Sequence, residues 1–217
     1  KLKDSNSSIT YNQNTKEFKL INFFLESKNQ SINSDFRYKS TNDFDLKLIT
    51  KDLKLHQFLS KNEKFDLSGF LSSEIIINQN EELQSASAKI ITKNLALNQN
   101  LIGDFDFSLS GSPIYKTYKI STSVINDGKK NILGLGNVFI VDKNINLDVD
   151  FNLDDFDLSF LSSFGKNKVN RIHGIVSGNL NLWGSLSDIK LKGKTTINKG
   201  NLYLPITNTE YKIRDKT

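Results

Sequence analysis

The sequence predicts an all-β protein, an elongated antiparallel sheet curved into a half-pipe with a hydrophobic inner groove and one or two short helices. Three observations carry that expectation. Apolar or glycine residues hold every second position through Ile172, Gly174, Val176, Gly178, Leu180, Leu182 and Gly184, and again through Ile189, Leu191, Gly193, Thr195 and Ile197. A period of two belongs to extended strands with one apolar and one wet face. Hydrophobic residues make up 37% of the chain, low for its size but sufficient where half of every strand faces water. Finally, Asn78-Gln79-Asn80, Asn126-Asp127-Gly128-Lys129 and Asn198-Lys199-Gly200-Asn201 separate alternating runs as hairpin turns do.

The alternation recurs almost from end to end. Its members are Phe18 and Leu20; Phe44, Leu46 and Leu48; Phe65, Leu67, Gly69 and Leu71; Ile75 and Ile77; Phe105, Phe107, Leu109 and Gly111; Ile120, Thr122 and Val124; Leu133, Leu135, Asn137, Phe139 and Val141; and Ile145, Leu147, Val149, Phe151 and Leu153. Two segments break it, residues 51–61 and 154–164, where Leu55, Phe58, Leu59 and Leu158, Leu161 have the spacing of one or two helical turns. Each is expected to plug an end or a bend of the sheet. Because each follows an alternating strand and precedes a glycine-containing one, the chain reads as two approximate repeats, 43–141 and 145–213, within residues 1–217 of a larger repeat-like domain.

Composition excludes several classes of function. With no cysteine there are no disulfides, thiolate nucleophiles or Cys-type zinc sites. The formal charge is +5, but Lys and Asp alternate through the polar positions instead of forming a basic stripe, which argues against nucleic acid. No apolar run approaches the ~20 residues of a membrane span, and the polar start without Met reads as a piece of something longer.

The chemistry-bearing candidates are sparse. Asp148-Val-Asp150-Phe-Asn152-Leu-Asp154 has the spacing of a calcium loop, but Leu153 stands where the loop needs glycine and Ser159 where it needs glutamate, so a polar strand face is the better account. His56 and His173 are the two histidines; His173 has outward parity and no second ligand spaced for it. Gly134-Leu-Gly136 and Gly165-Lys166 lack the rest of a phosphate loop and read as turn or flat-strand glycines. Trp183 falls on the wet parity, against a neighbouring segment. The sequence thus predicts no catalytic, metal or cofactor site, and no enzyme.

What it predicts instead is a surface that must be covered. At ~25 cal/mol per Å², leaving a long apolar face in water costs tens of kcal/mol. The chain holds too little helix to cover it, so the sheet curls on itself or binds apolar material. Glycines at 69, 103, 111, 174, 178, 184 and 193 share the apolar parity, where they let the sheet bend tightly and leave an open slot. Strands of about seven residues at ~3.3 Å each are ~23 Å long, comparable to an acyl chain. Burial contributes roughly 0.8 kcal/mol per methylene and a Lys near an anionic headgroup about 1 kcal/mol in all, so acyl chains belong inside and headgroups outside. The candidate lining residues are Phe105, Phe107, Leu109, Leu147, Val149, Val176, Leu180, Leu182, Leu191, Ile197, Leu202 and Leu204, with Gly174, Gly178, Gly184 and Gly193 shaping the groove.

The positions Gly174, Val176, Gly178, Leu180, Leu182, Gly184, Leu191, Gly193, Leu202, Pro205, Asn208 and Tyr211 form a G-x-V-x-G-x-L-x-L-x-G run followed by L-x-G, L-x-x-P and N-x-x-Y. This pattern, over the last 45 or so residues, resembles the C-terminal domain of the TamB family of bacterial envelope proteins. The resemblance implies a β-taco half-pipe in an inner-membrane-anchored protein crossing the periplasm, with phospholipid acyl chains as cargo and an outer-membrane barrel protein of the TamA or BamA type as partner. It also implies phospholipid movement between membranes and support of outer-membrane protein assembly or secretion. Two other readings stand beside it: a structural module that recruits unfolded outer-membrane strands by β-augmentation, and an extended glycan-processing enzyme using Asp148 and Asp150.

Overall fold

The computed structural model describes residues 7–58, 66–80, 84–141, 144–163, 170–204 and 209–212. Thirteen strands follow one another as β1 (Ser8–Asn12), β2 (Glu17–Ser27), β3 (Gln30–Ser40), β4 (Asp43–Lys54), β5 (Leu67–Gln79), β6 (Gln84–Leu97), β7 (Asn100–Ser112), β8 (Thr117–Asn126), β9 (Lys129–Val141), β10 (Asn144–Asp157), β11 (Asn170–Ser185), β12 (Asp188–Leu204) and β13 (Thr209–Lys212). Each pairs antiparallel with its sequence neighbours in one open, curved sheet. At ~4.8 Å per strand it extends roughly 60 Å.

The alternating pattern fixes the strands, and their lengths correct the sequence reading. From β2 to β12 they run 10 to 17 residues instead of about seven. Asn126-Asp127-Gly128-Lys129 does close the β8–β9 hairpin, with Asp127 and Gly128 at φ 49° and 76°. Asn198-Lys199-Gly200-Asn201, in contrast, is no turn. It lies inside β12, where Lys199 at φ 53° accompanies a shift of the β11–β12 register. The expected helical segments shrink likewise: residues 51–54 stay in β4 and only Leu55–Phe58 forms a helical turn, α1, while 154–157 stay in β10 and Ser159–Ser163 forms a 3-10 turn. Leu59, Phe65 and Gly165-Lys166 lie outside the described residues.

A device missed at the sequence level bends the strands. Among the sheet's register shifts, four place one extra residue in a strand beside a left-handed Asn or Asp, in Leu20-Ile-Asn-Phe23, Thr50-Lys-Asp-Leu53, Thr92-Lys-Asn-Leu95 and Leu153-Asp-Asp-Phe156. The third residue of each set, Asn22, Asp52, Asn94 and Asp155, has φ between 49° and 54°. Asn and Asp adopt this left-handed conformation more readily than other non-glycine residues. In each case the next strand captures the bulged N–H: Asn22 donates to Asp35 Oδ1 at 2.7 Å, Asp52 to Ser72 Oγ at 3.1 Å, Asn94 to Asp104 Oδ1 at 2.9 Å and Asp155 to Ser177 Oγ at 3.0 Å. The bulges at Asp52, Asn94 and Asp155 lie near one level across the sheet, while that at Asn22 is level with Lys47, further along β4; each bends its strand and sharpens the local twist, and the first three together act as a crease.

The core sits along that crease. The buried apolar residues Leu53, Leu97, Val124, Phe156 and Val176 lie at or next to it, with Val149 deeper in the sheet. Polar groups there are paired: Thr50 Oγ1 and Ser73 Oγ share a buried hydrogen bond of 2.8 Å. Both short helical turns sit at this end of the strands. The 3-10 turn is tied to β11 through the Leu158 N–H to Gly174 carbonyl bond of 2.9 Å and the Ile172 N–H to Ser162 Oγ bond of 2.8 Å, and it also touches β7. On a flat sheet those strands stand ~19 Å apart, so one short turn meets both only because the sheet curls.

Candidate functional site

The register assembles the apolar parity of successive strands into continuous rows along the concave side. One row passes through Leu48, Ile75, Ala88, Leu109, Ile120, Gly136, Val149, Leu182 and Leu191. The next passes through Thr50, Ser73, Ile90, Phe107, Thr122, Gly134, Phe151, Leu180 and Gly193. Of the residues proposed from sequence, Phe105, Phe107, Leu109, Leu147, Val149, Val176, Leu180, Leu182, Leu191 and Ile197 share this face, together with Gly174, Gly178, Gly184 and Gly193. The side chains of Leu202 and Leu204 lie outside the described residues, as do Pro205 and Asn208. Sequence reasoning missed the contributions of β3 and β6, such as Phe36, Ile90 and Thr92, because serine and alanine dilute their alternation.

One strand is turned over relative to the sequence reading. Leu133, Leu135, Phe139 and Val141 were expected inside, but in β9 the inner residues are Ile132, Gly134, Gly136, Val138 and Ile140. Leu135 is 52% exposed on the outer side. Both parities of β9 are apolar, so its own pattern cannot choose. The neighbours decide, since the ring of Phe151 needs the space that only glycine leaves at 134. A Cβ there would stand 2.6 Å from Phe151 Cε1 and 2.7 Å from Thr122 Cγ2.

The inner glycines do not leave an open slot, which corrects a second expectation. A Cβ on Gly136 would run into the Asp148 carbonyl and lie 2.6 Å from Val149 Cα, and one on Gly178 would meet the Lys194 carbonyl and Thr195 Cα. Their missing side chains admit the neighbouring backbone, so the glycines permit tight coiling and the concavity arises from the curl itself.

The face is apolar and left partly open. Its depth varies from Val149, 3% exposed, to rim residues such as Leu191 at 59% and Ile9 at 71%, and among the described residues no large side chain is fully buried. A meshed two-layer sandwich buries its central side chains completely. The whole chain exposes 14847 Å², about half again the roughly 10,000 Å² of a compact chain of its mass. Among the described residues no helix is long and apolar enough to cross a membrane.

The outer face is polar and internally paired. Arg37 bonds Asp45 at 2.6 Å and Asp43 at 2.7 Å, with Glu17 at 3.6 Å. The Asp43 hydrogen bond foremost, then that to Asp45, raises the guanidinium further above its ordinary value, and Arg37 in turn holds Asp43 below the usual carboxylate range. Asp148 and Asp150, the alternating carboxylates noted in the sequence, both accept from Asn181 Nδ2 at 2.9 Å. Lys129 reaches Asp155 at 2.8 Å and Asp154 at 3.2 Å. His56 and His173 are exposed, and no cluster of three metal-ligating groups occurs among the described residues. Trp183 is half-buried on this outer face, between Asp148 and Lys190 on the flanking strands. No protein-family model, curated protein or solved structure matches the chain.

Proposed function

We propose that this chain is a non-enzymatic, lipid-shielding segment of a TamB-like envelope protein, in which the trough holds phospholipid acyl chains while headgroups stay in water. In this reading it belongs to an inner-membrane-anchored protein in the periplasm, moves phospholipid between the two membranes with an outer-membrane barrel of the TamA or BamA type, and supports outer-membrane protein assembly or secretion. The carrying observation is the unbroken apolar row from Leu48 on β4 to Leu191 on β12, which the chain's own side chains leave partly open except at the buried Val149. At ~25 cal/mol per Å², each 1,000 Å² of such surface left wet costs roughly 25 kcal/mol, and an acyl chain offsets that cost without a headgroup pocket. Native mass spectrometry of the chain purified from membranes under mild conditions tests the reading: phospholipid adducts are expected, and a chain that is lipid-free throughout overturns it.

The second reading, strand capture, has its own observation. β13 pairs with β12 only over Asn201–Leu204, so among the described residues Asp188–Gly200 present an edge without a ladder partner. Such an edge is a template for another strand. A Lys190→Pro variant, on the outward parity of this edge strand, is expected to lose binding of unfolded outer-membrane strands while retaining lipid; unchanged strand binding removes this reading.

A further inference from the structure

The outer face of β9–β12 holds a second concavity, of about 800 Å³, whose lining also takes in Phe151, Leu180 and Gly193 of the inner row between its outward-facing residues. Two cross-strand rows line it: Leu133, Asn152, Asn179 and Lys194 in one, and Leu135, the carboxylate Asp150, Asn181 and Lys192 in the other, so the positive charge lies at the β12 end. We propose that this surface binds an anionic saccharide, a pyranose chain bearing carboxylate or phosphate.

The cationic side is poised for an anion. Lys190 has Asp188 at 3.7 Å, whereas Lys192 and Lys194 have no carboxylate in ion-pair reach among the described residues. Two positions apart on one strand, they carry like charges ~7 Å from one another, a repulsion that a bound anion relieves. In the middle, the amides are held in fixed orientations. Asn181 Nδ2 is committed to Asp148 and Asp150 at 2.9 Å, and Asn152 Nδ2 donates to Asn179 Oδ1 at 3.0 Å. That leaves Asn179 Nδ2 as donor and Asn152 Oδ1 as acceptor without protein partners among the described residues, a pair suited to vicinal hydroxyls. On the far side exposed Leu135 offers an apolar surface to the C–H face of a sugar ring.

Size and chemistry select this ligand over others. Three strand spacings separate the leucines from the lysines, ~14 Å, too far for one phosphate to span and right for a short oligosaccharide. Asp150 and the three asparagines between the leucines and the lysines offer hydrogen-bonding partners along that length, which a chain of hydroxyl-bearing rings can use.

Trp183, the sole tryptophan, lies one row away on β11 and reports binding through its fluorescence. Trigalacturonate represents a free acidic polysaccharide and a phosphorylated glucosamine disaccharide a glycolipid headgroup. Saturable quenching by either supports the proposal, and the tighter binder names the source. The exposed double variant Lys192→Gln/Lys194→Gln is expected to weaken binding about tenfold with an unchanged circular dichroism spectrum, while Lys89→Gln/Lys119→Gln leaves it intact. Absence of any response, an equal response to maltotriose or to inorganic phosphate alone, or full binding by the Lys192/Lys194 variant overturns it. Trp183, Lys192 and Lys194 are on the outward parity, so this readout is distinct from lipid retention in the trough.

Discussion

Gly134 stands opposite Phe151 in the β9–β10 ladder, and the Phe151 ring occupies the space where a side chain at 134 would begin. The pair sets which face of β9 is inner. Gly134→Ala forces that ring and Thr122 aside and is expected to lower stability by about 1–3 kcal/mol, read as a lower urea midpoint. Phe151→Leu in the same background is expected to recover part of the loss. An unchanged midpoint for Gly134→Ala shows that the ring is free to move.

The Thr50–Ser73 hydrogen bond places two hydroxyls in the apolar wall. Thr50→Val leaves the Ser73 hydroxyl buried without its partner and is expected to cost about 1–3 kcal/mol; Thr50→Val/Ser73→Ala, which removes both hydroxyls, is expected to cost less than the single change. A double-mutant cycle by chemical denaturation measures the coupling, and additive losses contradict the pairing.

Asn94 marks one of the four bulges. Asn94→Gly retains the left-handed conformation at little cost, while Asn94→Ala strains it by about 1–2 kcal/mol. Equal denaturation midpoints for the two variants count against a conformational role.

Asp104 joins a bulge to a charge. Its carboxylate accepts from Lys93 Nζ at 2.6 Å and from the Asn94 N–H at 2.9 Å, and these bonds, Lys93 first, hold it below its ordinary value of 3.8. A depressed carboxylate stabilises the fold above its unfolded value and loses that contribution as pH falls through the folded one. Asp43, Asp155 and Glu17 are shifted the same way, so stability is expected to decline below pH about 4. Asp104→Asn should show a shallower decline between pH 5 and pH 2 in urea titrations; an identical slope rules out its share.

Leu182 sits mid-row on the inner face beside Val149 and Leu191. Leu182→Asp puts a charge where an acyl chain would lie, and most phospholipid retained by the wild-type chain is expected to be lost, with the strand signal in circular dichroism preserved. Phosphate analysis per mole of protein checks this, and full retention removes Leu182 from the lining.

Much of the fold was legible because alternation is local. Phe105, Phe107 and Leu109, or Leu147, Val149 and Phe151, announce a strand and its buried side without reference to anything else. β9 was not legible, because apolar residues occupy both its parities. The bulges had a signal that was overlooked: in Leu20-Ile-Asn-Phe23 and its three counterparts the alternation slips by one residue at an Asn or Asp. The outer concavity had none, since Leu133, Asn152, Asn179 and Lys194 are far apart in sequence and meet only through register.

The chain by itself determined that it forms many amphipathic strands joined by short connections, since side-chain direction in a strand depends only on neighbouring positions. The tertiary structure decided which way β9 faces, where the crease runs, how far the sheet curls and which polar side chains meet outside. Each of these follows from pairing between strands, and a one-residue change of register exchanges the two faces.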